Sequence, residues 1–221
     1  GAGGVLVSAT NSLGGTGDQI STSVSIAALP VANAGADITI CDGDSIAIGG
    51  SPTGPGGSSF SWSPSATLNS GSNANPEATP LITTDYIVLV SNSGCTDQDT
   101  IRVNVSVPSV SAGTDLAVCV GDSVQIQAQG TGSVVWSPAG GLSATNVLDP
   151  FAFPIATTDY IVTLTDSATC IAQDTIQVLV NQLPVANAGA DTSACTNEMI
   201  VIGGAPTGPS GSTYTWSPAG G

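Results

Sequence analysis

The sequence predicts an all-β fold built from tandem repeats. Residues that favour helices are scarce, with two Glu, one Met and no Lys among 221 residues. Val, Ile and Thr dominate instead, and Gly, Pro, Asn and Ser divide them into short segments, which is the pattern of strands and turns. The nine residues 29–37 return letter for letter at residues 183–191, and a verbatim return of this length indicates a repeat array.

The chain divides into two whole repeats and two partial ones. Residues 29–107 and 108–182 each contain the full set of segments. Residues 183–221 begin a further repeat, and residues 1–28 match the end of a preceding one. Because the third repeat resembles the first more than the second, we interpret the array as an alternation of two kinds of unit, with a true period of two repeats.

Residues 5–28 predict a hairpin that corresponds to the last two strands of the later repeats. Apolar residues alternate on either side of a glycine-rich turn at residues 14–17. These apolar residues are Val5, Val7, Val24 and Ile26. The chain as given therefore opens inside a repeat.

The segments of the first whole repeat predict its strands in order. A turn at residues 42–44 separates the first two strands, and a long polar connection at residues 69–80 precedes the two longest ones. The predicted strands are residues 39–41, 45–48, 59–62, 83–90 and 99–107. The last strand alternates cleanly between apolar and polar residues. One of its faces carries Ile101, Val103, Val105 and Val107.

The acidic charge argues against two classes of partner. The net charge is −15, because Arg102 is the only cation beside sixteen carboxylates. Nucleic-acid binding needs clustered Lys and Arg, and anionic lipid attracts basic segments. Membrane insertion is not expected either, since no apolar run approaches the roughly 18 residues of a membrane span. No signal peptide is recognised, so we expect that a signal was removed or that the chain is a piece of a longer one.

The order of short motifs resembles a known family. Each whole repeat carries Cys, Gly-Asp-Ser, Trp-Ser-Pro, Thr-Thr-Asp-Tyr, a second Cys and Asp-Thr-Ile, and Asn-Ala-Gly-Ala-Asp opens the first and third repeats. This order resembles the PKD-like, immunoglobulin-type repeats of giant surface proteins from gliding Bacteroidota. The resemblance covers the whole chain and departs from the pattern at residues 13–15, which stand where a Cys is expected.

The resemblance implies tandem seven-stranded immunoglobulin-like β-sandwiches. It implies that Trp62 and Trp136 are core anchors on the third strand, with Trp216 as their counterpart in the last repeat. Tyr86 and Tyr160 fall where a tyrosine corner begins the sixth strand, so their hydroxyls are expected to bond to nearby backbone. It also implies secretion, often by the type IX route, and a role as an adhesin, filament or spacer.

Catalysis is not expected from this composition. The chain has no His and no Lys, and each Asp lies in a turn or at a strand start, where its side chain can bond to its own backbone. Carboxylate pairs such as Asp42 with Asp44, or Asp97 with Asp99, have the chemistry of an acid and a base, but no second functional type lies near them. We therefore predict a non-enzymatic protein without a cofactor.

Calcium is the one metal that the sequence suggests. Asp37, Asp42 and Asp44 gather around one turn of the first repeat, and Ca²⁺ prefers carboxylate and carbonyl oxygens. The cluster is thinner in the later repeats, and no EF-hand spacing occurs. Turn capping and solubility explain these carboxylates better, so we predict no metal site and keep these three residues as a calcium candidate.

The five cysteines predict disulfides. Cys41 and Cys95 recur as Cys119 and Cys170, and Cys195 begins a third set. Paired cysteines without His favour disulfides in an oxidising compartment over a zinc site. Two pairings stay open. One joins the cysteines within each repeat, and the other joins Cys41 to Cys170 of the next repeat. The second arises because the two turns lie at opposite ends of an immunoglobulin sandwich, whereas a bridge needs Cα atoms within about 7 Å.

Asp followed by Ser or Thr and a small or apolar residue recurs along the chain. This pattern resembles the O-glycosylation acceptor of secreted Bacteroidota proteins. The candidate acceptors are Ser45, Thr100, Ser123, Ser167 and Thr175. An ordinary strand that is entered from an Asp turn has the same pattern, so modification and simple strand entry both stay open.

These observations predict a structural protein at the cell surface or outside the cell. We expect a run of sandwiches that forms the shaft of a filament, stalk or adhesin, with copies of itself or adjoining repeats as partners. The terminal half-repeats offer a further option, in which they complement each other between subunits, as in strand-donating fibres. The alternative function is a ligand-binding or carbohydrate-binding adhesin array, with surface glycans as partners.

Overall fold

The computed structural model of the protein describes residues 2–7, 20–25, 27–205 and 207–217, which form strands and turns. No helix in these ranges has the length and apolar character to cross a membrane. The chain forms two compact units, and each contains one β-sandwich. The first unit consists of Gly1–Val107 with Ser167–Cys170, and the second of Pro108–Asp166 with Ile171–Gly221.

A two-stranded hairpin opens the first unit. Strand β1, Ala2–Val7, pairs antiparallel with β2, Ile20–Ser25, in a register that sets Val5 opposite Thr22. The predicted hairpin is thus present, and its strands share no sheet with another strand of the described chain. Its glycine-rich turn and Ile26 lie outside the described residues.

The first sandwich is built on a four-stranded sheet whose central strands are the longest in the unit. The sheet order is β3, β8, β7, β5, and a second sheet pairs β4 with β6. Its strands are β3 (Ile38–Cys41), β4 (Ile46–Ala47), β5 (Ser59–Ser63), β6 (Glu77–Ala78), β7 (Thr84–Asn92) and β8 (Cys95–Ser106). The first strand, β3, runs parallel to the last strand, β8, with Ile38 opposite Val103. All other pairs in this sandwich are antiparallel.

Alternation along the strands builds the core of the first sandwich. Every second residue of β7 is buried, because successive side chains of a strand point to opposite faces. The buried residues are Ala34, Ile40, Ile48, Trp62, Ala78, Tyr86, Val88, Val90, Ile101 and Val103. Val107, predicted on the same face as Ile101, lies beyond the end of β8 and is exposed. That part of the prediction was wrong, because the strand stops at Ser106 and its alternation stops with it.

The second sandwich repeats this plan. Its main sheet has the order β10, β16, β15, β13. As in the first sandwich, the strand that comes first in the sequence, β10, runs parallel to the one that comes last, β16. Two small sheets pair β11 with β14 and β9 with β12. The strands are β9 (Val110–Ser111), β10 (Leu116–Cys119), β11 (Val124–Gln125), β12 (Gln129–Gly130), β13 (Ser133–Ser137), β14 (Phe151–Ala152), β15 (Thr158–Thr165) and β16 (Ile171–Asn181). The largest fully buried side chains of this sandwich are Trp136, Tyr160, Leu164, Ile126 and Ile176.

The all-β prediction is confirmed, but several strand bounds differ from it. The polar connection at residues 69–80 contains β6, which pairs with β4 at Ile46 and Ala78. Strand β8 begins four residues earlier than predicted, at Cys95. The sandwiches also depart from a uniform count of seven strands, since residues 29–107 contain six and residues 108–182 contain eight.

Candidate functional site: the strand clamp and the inter-repeat disulfide

Carboxylates of the last strand hold the segment that enters each sandwich. In the first sandwich the Ala34 N–H donates to Asp99 Oδ2 at 2.8 Å, although the two residues are 65 positions apart. In return, the Arg102 N–H donates to Asp37 Oδ1 at 2.9 Å. The entering segment and the last strand thus exchange one carboxylate bond each, and we call this reciprocal pair the strand clamp. Ala34 is fully buried, which places the small side chain against the core.

The second sandwich contains the same clamp at equivalent positions. The Ala112 N–H donates to Asp174 Oδ2 at 2.8 Å, and the Gln177 N–H donates to Asp115 Oδ1 at 2.9 Å. Bonds from the backbone N–H of Ala112 and, next, of Thr175 lower the pKa of Asp174, because they favour its charged form. The expectation that each Asp bonds to nearby backbone is therefore incomplete for these four carboxylates, because each also accepts a bond from a residue distant in sequence.

A disulfide joins Cys41 to Cys170. Their Cα atoms are 5.4 Å apart, within the usual range for a disulfide, and 129 residues separate them in sequence. Cys41 ends β3, and Cys170 ends the turn Ser167–Cys170 that belongs to the first compact unit. Of the two pairings left open by the sequence, the structure contains the one between consecutive repeats, and neither pairing within a repeat is present.

The remaining three cysteines are free in this chain. Cys95 is partly exposed, and Cys119 and Cys195 are exposed. They were all candidates for disulfides, and the structure gives none of them a partner sulfur within its described residues. The physical reason is positional. Within-repeat bonds would need Cys95 near Cys41 and Cys119 near Cys170, but Cys41 and Cys170 are bonded to each other.

Two of the three predicted tryptophan anchors are buried. Trp62 is 3% exposed and Trp136 is 1% exposed. The indole N–H of each donates at 2.9 Å to a backbone carbonyl eleven residues further on, of Asn73 and Val147 respectively. Trp216 is 44% exposed, so its prediction as a core anchor was wrong for this chain. Residues 183–205 and 207–217 form no strand, and no long hairpin covers the indole.

The tyrosine hydroxyls bond within their own sandwiches, but not as uniformly as a tyrosine corner implies. The Tyr160 hydroxyl donates to the Gly140 carbonyl at 3.0 Å, and burial raises the pKa of Tyr160. The Tyr86 hydroxyl pairs with the Thr67 Oγ1 at 2.6 Å, which is a side chain and not the expected backbone group. The repeats differ here because the first has a hydroxyl residue within reach of the phenol.

The calcium candidates do not form a metal site among the described residues. Asp37 belongs to the strand clamp, and no group of three or more acidic, Cys or His side chains there could hold an ion. Asp42 and Asp44 are exposed in the turn after β3. The turn is closed by the Asp44 N–H, which donates to the Cys41 carbonyl at 3.0 Å.

The candidate glycosylation acceptors share one property, since all five side chains are exposed. They are Ser45, Thr100, Ser123, Ser167 and Thr175. Ser45 donates its hydroxyl hydrogen to Glu77 Oε1 at 2.6 Å across β4 and β6. Thr100 and Thr175 each follow a clamp carboxylate directly, so the Asp of this pattern has a structural role whether or not the hydroxyl is modified.

Comparisons with known proteins bear on the fold alone. No family model matches the chain, and no curated protein matches it. An I-band fragment of titin is 13% identical over 72% of this chain and 68% of its own, with a TM-score of 0.44. The first two immunoglobulin domains of DIP-gamma are 13% identical, covering 69% of this chain and 98% of theirs, with a TM-score of 0.40. Extracellular domains 3–5 of Drosophila OTK are 12% identical over 73% and 69%, with a TM-score of 0.30. The chain itself is a tandem array of immunoglobulin-like β-sandwiches.

Proposed function

We propose that this chain is a non-catalytic structural region of an extracellular filament, stalk or adhesin shaft, and that its repeats carry tension. The observation that supports this most strongly is the disulfide between Cys41 and Cys170, which ties one repeat to the next. A load-bearing array gains directly from such a bond between repeats.

The disulfide shortens the covalent path that tension follows. A pulling force that is applied before Cys41 and after Cys170 passes through the disulfide. It bypasses the stretch of chain between the two cysteines, which are 129 positions apart in sequence. Strands β4 to β8 and β9 to β15 all lie in the bypassed part of the sequence. These strands are then protected from extension, even when their hydrogen bonds fail, whereas β3 and β16 lie outside the protected part.

Where the Cys41–Cys170 bond is reduced, the strand order itself resists tension, because the force then passes through the first sandwich. The chain enters the first sandwich along β3 and leaves along β8, and these two strands are parallel neighbours. Tension on the two chain ends therefore pulls them in opposite directions along a shared row of hydrogen bonds. Such bonds are loaded together and not one after another, and the strand clamp of Asp37 and Asp99 adds two more to the row.

The proposed location is the cell surface or the extracellular space. Disulfides persist in oxidising compartments, and the resemblance to Bacteroidota surface repeats adds secretion by the type IX route to this proposal. Glycosylation at exposed acceptors such as Thr100 and Thr175 is part of the same proposal. The intact mass of the native protein tests it, since a mass equal to that of the bare chain rules modification out.

Electron microscopy of the native surface material tests the shaft proposal. We expect extended fibres or stalks with an axial spacing of two repeats, because the sequence period is two repeats. Labelling with an antibody against residues 29–107 should decorate the shaft at regular intervals. Compact particles without extended material, or label confined to tips, would contradict the proposal.

A second candidate function is ligand binding by the second sandwich. Phe151 and Phe153 are about half exposed around β14, where the first sandwich has Glu77 and Thr79 instead. Exposed aromatic rings are a platform on which sugar rings can stack. Glycan-array binding by the whole chain, lost in a Phe151→Ala/Phe153→Ala variant, would favour this candidate over a purely mechanical role.

A further inference from the structure

One face of the second sandwich carries a row of exposed glutamines. Burial alternates in the segment of residues 124–129, where Ile126 and Ala128 point into the core. Because successive side chains of an extended segment point to opposite faces, the residues that alternate with these two share the outer face. They are Gln125, Gln127 and Gln129, and all three are exposed. The row lies between two grooves, since Gln127 and Gln129 line both of them.

Two exposed phenylalanines continue the same face. Strand β14 pairs antiparallel with β11 in a register that sets Phe151 opposite Gln125. Phe153 follows two positions later, about 6.6 Å further along the chain, so it lies on the same side as Phe151. Phe151 is 50% exposed and Phe153 is 47% exposed, whereas Ala152 between them is fully buried. We call this surface of three glutamines and two phenylalanines the amide–aromatic face.

The first sandwich has the same backbone at this place but different side chains. Strands β4 and β6 pair as β11 and β14 do, and they set Ala47 opposite Glu77. The Asn69 N–H donates to the Glu77 carbonyl at 3.0 Å, and the Ser143 N–H donates to the Phe151 carbonyl at 2.9 Å. The backbone therefore forms this arrangement without glutamines or phenylalanines, so the fold itself does not account for them.

The chemistry of the amide–aromatic face matches a ligand rich in hydroxyl groups. The face of a phenyl ring carries partial negative charge, and the C–H groups on the flat side of a sugar ring can pack against it. A glutamine amide has two N–H donors and one carbonyl acceptor, and a sugar hydroxyl both donates and accepts. Stacking and hydrogen bonding are thus available side by side, at Phe151 and Gln125. An open surface with two rings is suited to a chain of sugars more than to a single one.

The charge of the molecule selects an uncharged ligand. The chain has a net charge of −15, and its only cation, Arg102, lies on β8 of the first sandwich. Asp149 borders the amide–aromatic face, since the Gln125 Nε2 donates to its carbonyl at 3.2 Å and to its Oδ2 at 3.4 Å. A carboxylated or sulfated polysaccharide would approach against this negative potential, whereas an uncharged one meets no such repulsion.

We propose that the amide–aromatic face binds an uncharged polysaccharide, with Phe151 and Phe153 stacked on its sugar rings and the glutamines bonded to its hydroxyls. This inference rests on the second candidate function, ligand binding by the second sandwich, and deepens it. It names the class of ligand and adds Gln125, Gln127 and Gln129 to the site.

Affinity electrophoresis of the full chain tests the proposal. Native gels would contain either hydroxyethylcellulose or carboxymethylcellulose, which share one glucan backbone but differ in charge. We expect hydroxyethylcellulose to retard the chain, and carboxymethylcellulose to bind at least about fivefold more weakly because of the repulsion.

Variants locate the binding on the proposed face. Phe151→Ala and Phe153→Ala should each weaken the affinity for hydroxyethylcellulose about tenfold, and Gln125→Ala about fivefold, since one hydrogen bond is worth less than a stacked ring. Glu77→Ala, the matched control at the counterpart of Phe151 in the first sandwich, should leave the affinity unchanged. All four side chains are exposed, so each variant should unfold at the wild-type denaturant concentration, which the fluorescence of Trp62 and Trp136 measures.

Three results would overturn the inference. They are no retardation by hydroxyethylcellulose, equal or stronger retardation by carboxymethylcellulose, and wild-type affinity in the Phe151→Ala or Gln125→Ala variant. Binding to carboxymethylcellulose that is lost in Phe151→Ala would contradict the uncharged ligand yet leave the second candidate function standing. The proposed shaft function is independent of every outcome, because it rests on the Cys41–Cys170 bond.

Discussion

Removing the Cys41–Cys170 bond should destabilise the chain by an amount that its loop length sets. The bond closes a loop with a sequence separation of 129, which covers the rest of the first repeat and most of the second. In the chain-entropy description, opening a loop of this size raises the entropy of the unfolded state and costs about 5 kcal/mol. We therefore expect the Cys41→Ser/Cys170→Ser variant to unfold at a clearly lower guanidinium chloride concentration.

Tryptophan fluorescence measures this unfolding, because Trp62 and Trp136 are buried in the two sandwiches. The reduced wild-type chain should unfold with the same midpoint as the double variant. Cys119→Ser is the control, since it removes an exposed, free thiol and should leave the midpoint unchanged. The reasoning would be refuted if the oxidised wild type and the double variant shared one midpoint, or if reduction destabilised the double variant as well.

Three further changes test the clamp and the cores. The pKa of Asp174 is lowered from 3.8, so the stability that its charge contributes is present above that value and is lost as the pH falls through the lower folded-state pKa. The melting temperature of Asp174→Asn should therefore fall less steeply between pH 5 and 2 than that of the wild type, and parallel curves would count against the clamp. Trp136→Ala should cost about 3–5 kcal/mol in denaturant unfolding, against less than about 1 kcal/mol for Trp216→Ala, and equal costs would contradict the burial difference. Gly49 and Gly43 both have positive φ, but a Cβ on Gly49 would meet the Ala74 carbonyl oxygen at 2.6 Å, whereas one on Gly43 meets nothing within 4 Å. Gly49→Ala should thus lose about 2 kcal/mol more than Gly43→Ala in the same assay.

The sequence was sufficient for features that depend on local pattern. Alternation in the last strand of the first repeat predicted that Ile101 and Val103 share one face, and both are buried. The resemblance to PKD-like repeats implied Trp62 and Trp136 as core anchors, and both are buried. The sequence was insufficient for β6 and β14, each two residues long, because such strands exist only through pairing with a distant partner. No local propensity marks them.

The strand clamp was missed for a related reason. An Asp at a strand start favours an interpretation as a local turn cap, and the bond from Ala34 to Asp99 spans 65 residues. One signal could have found it, because Ala34 and Asp99 recur as Ala112 and Asp174 in the next repeat. Two residues that recur together at a distance are more often partners than two independent caps.

Single-molecule pulling of the chain by its two ends tests the central claim most directly. While Cys41 and Cys170 are bonded, the stretch of chain between them, which spans 129 positions, cannot be extended by the pulling force. Reduction should therefore lengthen the fully unfolded molecule by about 430–460 Å, from about 3.3–3.6 Å for each of these residues. An added length in this range under a reducing agent, absent from the Cys41→Ser/Cys170→Ser variant, is the predicted result. Equal lengths for the oxidised and reduced chain would contradict the account, because tension would then pass through both sandwiches in either state.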